Sequence, residues 1–391
     1  DQGQTLEARL AAGGWTLRGA ESLAPAAGQF AGAGANQGYF VNSNAAGFVA
    51  EKDGVLVVVF RGSDDNSDRL DAVFDQDGHY ALLEPLVLAA LAYAQAEGIE
   101  TVHVAGHSLG GAMAEWFATE AGAYADSAGI DFVVASFGSP GTNGAPPPAS
   151  SLAAEVLTFE HSADPVPALN FLHNGVVVSV EREGSDQHAS LLYHDTLARI
   201  AASPLGDRFM ASPGGYFVAL GEGGIDRFPA DLADQDPARA LFALGASGND
   251  SIAGTSAGDL LDGGSGNDLM QGGVGSDTLE GGAGLDLAVF ELSRASYTPT
   301  WELDGWMRIA AAGSSDSLRG VELISFGDWS GAVADYRTWW ENRPPTSAVR
   351  TPRPCSPRRC SPCSPIPSSW TATRSSAGRA SGVRSTAPTA A

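Results

Sequence analysis

Five aspartates recur at a period of nine residues in one glycine-rich segment: Asp250, Asp259, Asp268, Asp277 and Asp286. Three units follow the pattern G-G-x-G-x-D-x-U-x, where U is apolar, and the two preceding units have lost some of the glycines. A unit of nine residues has room for one tight turn and one short strand, so that it must stack on its neighbours to bury anything. The spacing therefore predicts a coil of short strands over residues 245–289.

The turns of such a coil suit a hard cation. Aspartate carboxylates and turn carbonyls are the oxygen ligands that Ca²⁺ prefers, and the glycines allow the turns to be tight. We therefore expect Ca²⁺ to bind the five aspartates together with the turn glycines Gly264, Gly266, Gly273, Gly275, Gly282 and Gly284. A flexible Gly/Asp linker is the alternative, but five aspartates in register argue against it. The segment resembles the calcium-binding β-roll repeats of the repeats-in-toxin family, which implies secretion without an N-terminal signal peptide.

Charge and cysteine are unevenly distributed along the chain. The formal net charge is −24, yet residues 344–391 contain seven Arg and no Asp or Glu. An acidic chain lacks the cations that neutralise phosphates, so nucleic acid is not an expected partner. No apolar run reaches the roughly 18 residues of a membrane helix, so no transmembrane segment is expected. All three Cys lie in the basic tail, which excludes disulfides and Cys metal sites from the first 354 residues.

Strand and helix patterns alternate in the first half of the chain. Apolar strand patterns occur at Thr101–Ala105 and Asp131–Phe137, with a helical pattern from about Leu109 to Tyr124 between them. Residues 61–80 are polar and rich in Asp, which indicates a loop, and residues 81–96 are an apolar helical stretch. This alternation predicts an α/β fold with a mostly parallel sheet and flanking helices.

The sequence GHSLG at 106–110 is the strongest local sign of chemistry. It directly follows a predicted strand and opens a predicted helix, which is the setting of a nucleophile elbow. A serine on this sharp turn has its hydroxyl exposed, and Gly106 and Gly110 relieve the crowding around it. We therefore predict Ser108 as a nucleophile, with the backbone N–H of Leu109 at the helix N-terminus as an oxyanion donor.

With the elbow in view, the first half of the chain resembles the class 3 (fungal-type) lipase family of α/β-hydrolases. Similar segments occur in the family's order: VVVFRGS at 57–63, SFGSPGTNG at 136–144, HSADPVPAL at 161–169 and QHASLLYHDTL at 187–197. The resemblance implies a Ser-Asp-His triad, with Ser63 as a second oxyanion donor. It also places residues 64–80 at the position of the family's lid, although this loop is more acidic than an apolar lid.

The two remaining triad members must follow the serine in the order Asp, then His. Asp164 fits because it ends a predicted strand before a proline-rich turn, although an Asp before Pro is also common in plain loops. Three histidines come after it, namely His173, His188 and His194. The resemblance favours His188, which precedes Leu-Tyr in the family's pattern, while His194 would lie within a helix and His173 in a turn.

These patterns predict four regions. Residues 1–215 form an α/β-hydrolase domain, 216–244 a connector, 245–342 an all-β calcium β-roll with a cap, and 343–391 a disordered basic tail, for which a shifted reading frame is another explanation. The expected function is that of a secreted serine ester hydrolase. The expected activity is that of a triacylglycerol lipase, whose lipid ester substrates include those at a lipid–water interface. A phospholipase A1 with the same triad is one alternative. A calcium-dependent adhesive or structural exoprotein with an inert hydrolase domain is the other, and the oligomeric state stays open.

Overall fold

A long, mostly parallel sheet forms the centre of the first 220 residues of the computed structural model. The structure describes residues 5–31, 38–63, 75–143, 154–167, 172–173, 175–182, 188–228 and 239–343. The strands of this part are β1 Thr16–Arg18, β2 Gln29–Phe30, β3 Phe40–Asn42, β4 Ala45–Lys52, β5 Val55–Phe60, β6 Thr101–His107, β7 Asp131–Phe137, β8 Ala154–His161 and β9 Val176–Arg182. Strands β5 to β9 pair in parallel in chain order, while β2 to β5 are antiparallel.

Six α-helices accompany the described strands: α1 Leu6–Ala12, α2 Gln76–Glu97, α3 Leu109–Ala128, α4 Ser190–Ala202, α5 Gly206–Met210 and α6 Val333–Asn342. Helices α2 and α3 pack on β3 to β8 in one apolar core. A second core joins α4 and α5 to β8 and the strands that follow. The predicted α/β class is confirmed, and it places the carboxyl ends of β6, β7 and β8 side by side.

Most regular elements in the second half of the described chain are short strands. They are β10 Tyr216–Leu220, β11 Arg227–Phe228, β12 Ala240–Leu244, β13 Ser251–Ala253, β14 Leu260–Asp262, β15 Leu269–Gln271, β16 Thr278–Glu280, β17 Leu287–Val289, β18 Thr298–Trp301, β19 Met307–Ala311, β20 Ser314–Arg319, β21 Leu323–Phe326 and β22 Trp329–Ala332. Alternate strands stack in parallel as two sheets, one through β12, β14 and β16 and one through β13, β15 and β17. The apolar residue of each unit is buried between these sheets: Ile252, Leu261, Met270, Leu279 and Ala288.

Two sequence expectations about the element borders need correction. Residues 216–244, predicted as a connector, contain β10 and β12, which pair with β9 and β14 and so join the hydrolase sheet to the roll. The two short apolar runs there are buried strands, which the sequence pattern did not separate from linker. Helix α2 begins at Gln76, inside the predicted loop 61–80, because the buried Gln76 amide bonds Gly141 O, Asn143 N and Trp116 Nε1.

Two other expectations lie outside the described residues. The basic tail over 344–391 is one, and the greater part of the lid position, residues 64–74, is the other. In the described ranges, no helix has both the length and the apolar character that a membrane crossing requires.

Candidate functional site

Ser108 stands at a sharp turn between β6 and α3. Its backbone has φ 58° and ψ −128°, a conformation that non-glycine residues rarely adopt. Two nearby positions have no space for a side chain and so require glycine. A Cβ on Gly106 would collide with the carbonyl of Gly110, and one on Gly110 would collide with the carbonyl of Phe60. The strained turn holds the Ser108 hydroxyl beyond the sheet edge, half-buried and next to the start of a helix.

Three predicted residues meet at the carboxyl ends of the parallel strands. His188 Nε2 lies 2.9 Å from Ser108 Oγ, and His188 Nδ1 lies 2.9 Å from Asp164 Oδ2. With the Nδ1 proton donated to Asp164, Nε2 is free to accept the proton of the serine hydroxyl. This arrangement can deprotonate Ser108 as it attacks an electrophile.

Asp164 stays ionised although its side chain is fully buried. Burial alone would raise the pKa of Asp164, but hydrogen bonds from His188, the Val166 N–H and the Tyr193 hydroxyl outweigh burial and hold this pKa below its ordinary value. The backbone turns tightly beside the carboxylate at Gly138, φ 54°, where a Cβ would lie 2.8 Å from Asp164 Oδ2. A carboxylate held in this way can orient the His188 ring and stabilise it when it becomes positively charged.

Two aromatic residues beside the triad, Tyr193 and His107, support this pair. The Tyr193 hydroxyl donates to Asp164 Oδ2 at 2.8 Å and accepts from the His161 N–H at 3.0 Å. The His107 ring lies against the His188 ring, with 4.6 Å between centroids, and its Nε2 donates to the His188 carbonyl at 2.7 Å. Burial lowers the pKa of His107, so it stays neutral beside His188. Tyr193 could have been suspected from its place in the Leu-Tyr pair after His188.

The other two histidines considered for the base lie elsewhere. His173 sits between Glu115 and Glu160, with Nδ1 3.1 Å from Glu115 Oε1 and Nε2 2.9 Å from Glu160 Oε1. Burial opposes the charge of this imidazole, but hydrogen bonds to the two carboxylates raise the pKa of His173 to about 10, so it is a cation at neutral pH and accepts no proton. His194 is exposed on α4.

The segments that carry the two predicted oxyanion donors both meet at the elbow. Leu109 is the first residue of α3, where N–H groups have no partner within the helix. The segment leading to Ser63 passes directly against the elbow, because a Cβ on Gly62 would lie 2.7 Å from the His107 carbonyl oxygen and 3.3 Å from Ser108 Cβ. The N-terminus of α3 also adds positive potential where an oxyanion would develop.

We expect Tyr193→Phe to lower kcat about tenfold with little change in KM, because one hydrogen bond to a charged group contributes about 1.5–3 kcal/mol. The lost donor leaves Asp164 Oδ2 bonded to His188 alone and raises the pKa of Asp164. Steady-state kinetics on a soluble ester measure the effect. Tyr216→Phe is the matched control, since Tyr216 packs against Phe209 near the same core. Equal losses in the two variants would mean that Tyr193 acts through packing only.

The roll presents a second set of functional side chains. All five repeat aspartates are buried, at most 2% exposed, and they stack at a spacing of 18 residues. Within the described chain, the buried Oδ2 of four of them has no hydrogen-bond partner: Asp250, Asp268, Asp277 and Asp286. Burial raises the pKa of Asp268 to about 6 and of Asp277 to about 7. Buried unpaired carboxylates are costly, and they fit a hard cation that would neutralise them.

The predicted turn glycines have the backbone that this stacking needs. Their φ values range from 91° to 151°: Gly264, Gly266, Gly273, Gly275, Gly282 and Gly284. At each of them a Cβ would collide with a carbonyl of the preceding turn on the same edge. No three His, Cys, Asp or Glu side chains in the described ranges converge on one point, so a cation here must take ligands from turn carbonyls as well.

Comparisons with known proteins find one matching family in the hydrolase part of the chain and another in the roll. Residues 83–174 match the lipase (class 3) family, while residues 244–279 and 254–288 match the RTX calcium-binding nonapeptide repeat. No curated protein matches the chain.

Among solved structures, the extracellular lipase LipA from Serratia marcescens is similar with a TM-score of 0.55 and 19% identity, over 82% of this chain and 61% of that one. This chain therefore spans less than two thirds of that lipase, and the likeness concerns the fold. A lipase from Rhizopus microsporus var. chinensis matches 36% of this chain and 59% of its own, with 23% identity and a TM-score of 0.28. The chain thus combines a class 3 lipase segment with RTX repeats, which bind calcium.

Proposed function

We propose that the chain is a secreted carboxylic ester hydrolase that acts on lipid esters, with triacylglycerol as the preferred class. The observation that carries this proposal is the hydrogen-bonded series from Ser108 through His188 to Asp164, with both contacts at 2.9 Å. The match of residues 83–174 to the class 3 lipase family supports it. A serine, an imidazole and a buried carboxylate in this order are the parts required for acyl transfer.

The proposed reaction has two acyl-transfer steps. Ser108 Oγ attacks the ester carbonyl while its proton passes to His188 Nε2, and the N–H groups of Leu109 and Ser63 stabilise the oxyanion. His188 then gives its proton to the departing alcohol, which leaves the acyl group on Ser108. Water then gives a proton to His188 and attacks this acyl-enzyme; His188 returns that proton to Ser108 Oγ as the bond to the acyl group breaks and the fatty acid is released. Asp164 stays ionised throughout and holds the imidazole in orientation.

Calcium has a structural role in this proposal. When bound, it would neutralise the buried carboxylates of Asp250, Asp268, Asp277 and Asp286 and so favour the folded roll. An extracellular location suits such sites, because calcium there is plentiful, and the RTX repeats support it. We further propose that the hydrolase and roll regions are two functional domains, joined by strands β10 and β12.

The test is a panel of esters assayed with calcium present: emulsified long-chain triacylglycerol, phosphatidylcholine vesicles and a soluble p-nitrophenyl ester. We expect fatty acid release to be fastest from triacylglycerol and absent for Ser108→Ala on all three substrates. Faster release from phosphatidylcholine, at the first acyl position, would make the protein a phospholipase A1. If the wild type releases no fatty acid from any ester, the proposal is wrong and the inert exoprotein remains.

A further inference from the structure

The roll begins one turn earlier than the nonapeptide pattern predicts. Residues 221–226, with the sequence GEGGID, form a turn that stacks below the first repeat turn. Asp226 N–H donates to Asp250 Oδ1 at 2.9 Å, as Asp250 N–H does to Asp268 Oδ1 at 2.8 Å. Strand β11, which follows the turn, pairs in parallel with β13. This turn lies outside the matched repeats, which begin at residue 244.

Four of the roll's turns share one backbone form, which we call open: residues 245–250, 263–268, 272–277 and 281–286. The second residue of each open turn has a positive φ, namely Ala246 at 71°, Gly264 at 91°, Gly273 at 96° and Gly282 at 97°. The aspartate that ends each open turn is the one whose buried Oδ2 has no hydrogen-bond partner in the described structure. In an open turn, one carboxylate oxygen of the aspartate is therefore available to bind a cation.

The turn at 254–259 has a different form, which we call closed. Thr255 N–H donates to Asp259 Oδ2 at 2.6 Å, and Thr255 Oγ1 donates to Asp259 Oδ1 at 2.9 Å. Neither Thr255 nor Ala257 has a positive φ, although the glycines at these positions in the complete units do. A β-branched residue strongly disfavours that conformation, so Thr255 keeps its N–H directed at the carboxylate.

The added turn at 221–226 is closed in the same way. Glu222 N–H donates to Asp226 Oδ2 at 3.0 Å, and Glu222 does not have a positive φ. Successive turns along the chain alternate between the two edges of the roll. Turn 221–226 is therefore the first described turn of one edge, and turn 254–259 is the first described turn of the other. In both, a backbone N–H occupies the carboxylate oxygen that is unpaired in the open turns.

We infer that calcium binds only at the open turns, through Asp250, Asp268, Asp286 and Asp277, and that the closed turns are calcium-independent caps. Asp226 and Asp259 have their charge met by main-chain and hydroxyl donors, so they gain little from a cation. Turn 221–226 directly follows β10, and Asp259 Oδ1 in the other cap accepts from the N–H of Leu241 in β12, so both caps adjoin strands that continue the hydrolase sheet. Asp259, which the repeat pattern predicts as a calcium ligand, is thereby reassigned.

Equilibrium dialysis against calcium, with the full chain, tests this assignment by counting bound ions. We expect Asp226→Asn and Asp259→Asn to bind as many ions as the wild type, with affinity within about twofold. Asp268→Asn and Asp277→Asn should each lose at least one ion or bind more than about tenfold more weakly. The inference is overturned if Asp259→Asn loses as many ions as Asp268→Asn.

A gain-of-site variant covers the case in which an aspartate variant does not fold. Thr255→Gly combined with Ala257→Gly restores the complete glycine pattern in the second unit and should open the turn. We expect this variant to bind one additional ion per molecule, whereas Ser256→Gly, at the exposed position between them, should bind the wild-type number. An unchanged count in the double variant would contradict the inference.

Discussion

His188→Ala is expected to reduce kcat on a soluble ester by roughly 10⁴- to 10⁶-fold, because the triad acts as a unit and loses nearly all of its effect when the base is removed. Without the imidazole, Ser108 has no proton acceptor at 2.9 Å and Asp164 has nothing to orient. The imidazole side chain is only partly buried, at 26% exposure, so the fold should survive its removal. Initial-rate kinetics measure the loss, and circular dichroism checks the fold.

His194→Ala is the matched control for this variant. His194 lies exposed on α4, six residues after His188, and should keep wild-type activity. If His188→Ala retained more than about a tenth of the activity while His194→Ala lost it, the base would have been assigned to the wrong histidine.

Removing calcium is expected to unfold the roll and to destabilise the hydrolase half with it. Each ion bound at 100 times its dissociation constant contributes about 2.7 kcal/mol to the free energy of unfolding, so several ions together rival the stability of a whole domain. Without them, buried carboxylates such as Asp268 and Asp277 are left uncompensated. The sheet is continuous from β9 through β10 and β12 to β14, so the loss should extend towards the His188 segment.

Thermal unfolding followed by circular dichroism, with calcium and with a chelator, measures this effect. In the chelator, we expect the protein to lose strand signal and to melt well below the calcium-bound form. Added magnesium should restore neither the strand signal nor the melting temperature, because Mg²⁺ prefers a tighter, octahedral set of ligands. Identical melting curves in calcium and in chelator would contradict a calcium-stabilised roll.

Much of the fold could be predicted because its patterns are local. The strand-turn-helix setting around Ser108 and the nine-residue repeat each follow from spacing alone, and the α/β class followed from alternation. The strands within 216–244 were missed because short apolar runs look alike in a linker and in a buried strand. The start of α2 was missed because Gln76 is held by contacts with residues far along the chain, at Gly141 and Asn143.

In the candidate site, too, some residues could be predicted from local sequence and others only from contacts in the folded chain. Ser108 could be proposed from its motif, whereas Asp164 depended on chain order together with a family resemblance, and the choice of His188 over His173 depended on that resemblance. What separates these histidines physically is the pair of carboxylates around His173, which no spacing reveals. The support from Tyr193 and the closed form of turn 254–259 likewise depend on hydrogen bonds that only the folded structure shows.

Labelling with a fluorophosphonate probe, followed by mass spectrometry of the modified peptide, examines the reactive serine itself. The probe forms a covalent bond only with a serine whose hydroxyl is activated by a neighbouring base. With calcium present, we predict one modification, on Ser108, in the wild type, none in Ser108→Ala and a much slower reaction in His188→Ala. A folded, calcium-bound wild type that stays unlabelled, or that is labelled at another serine, would contradict a hydrolase built on Ser108.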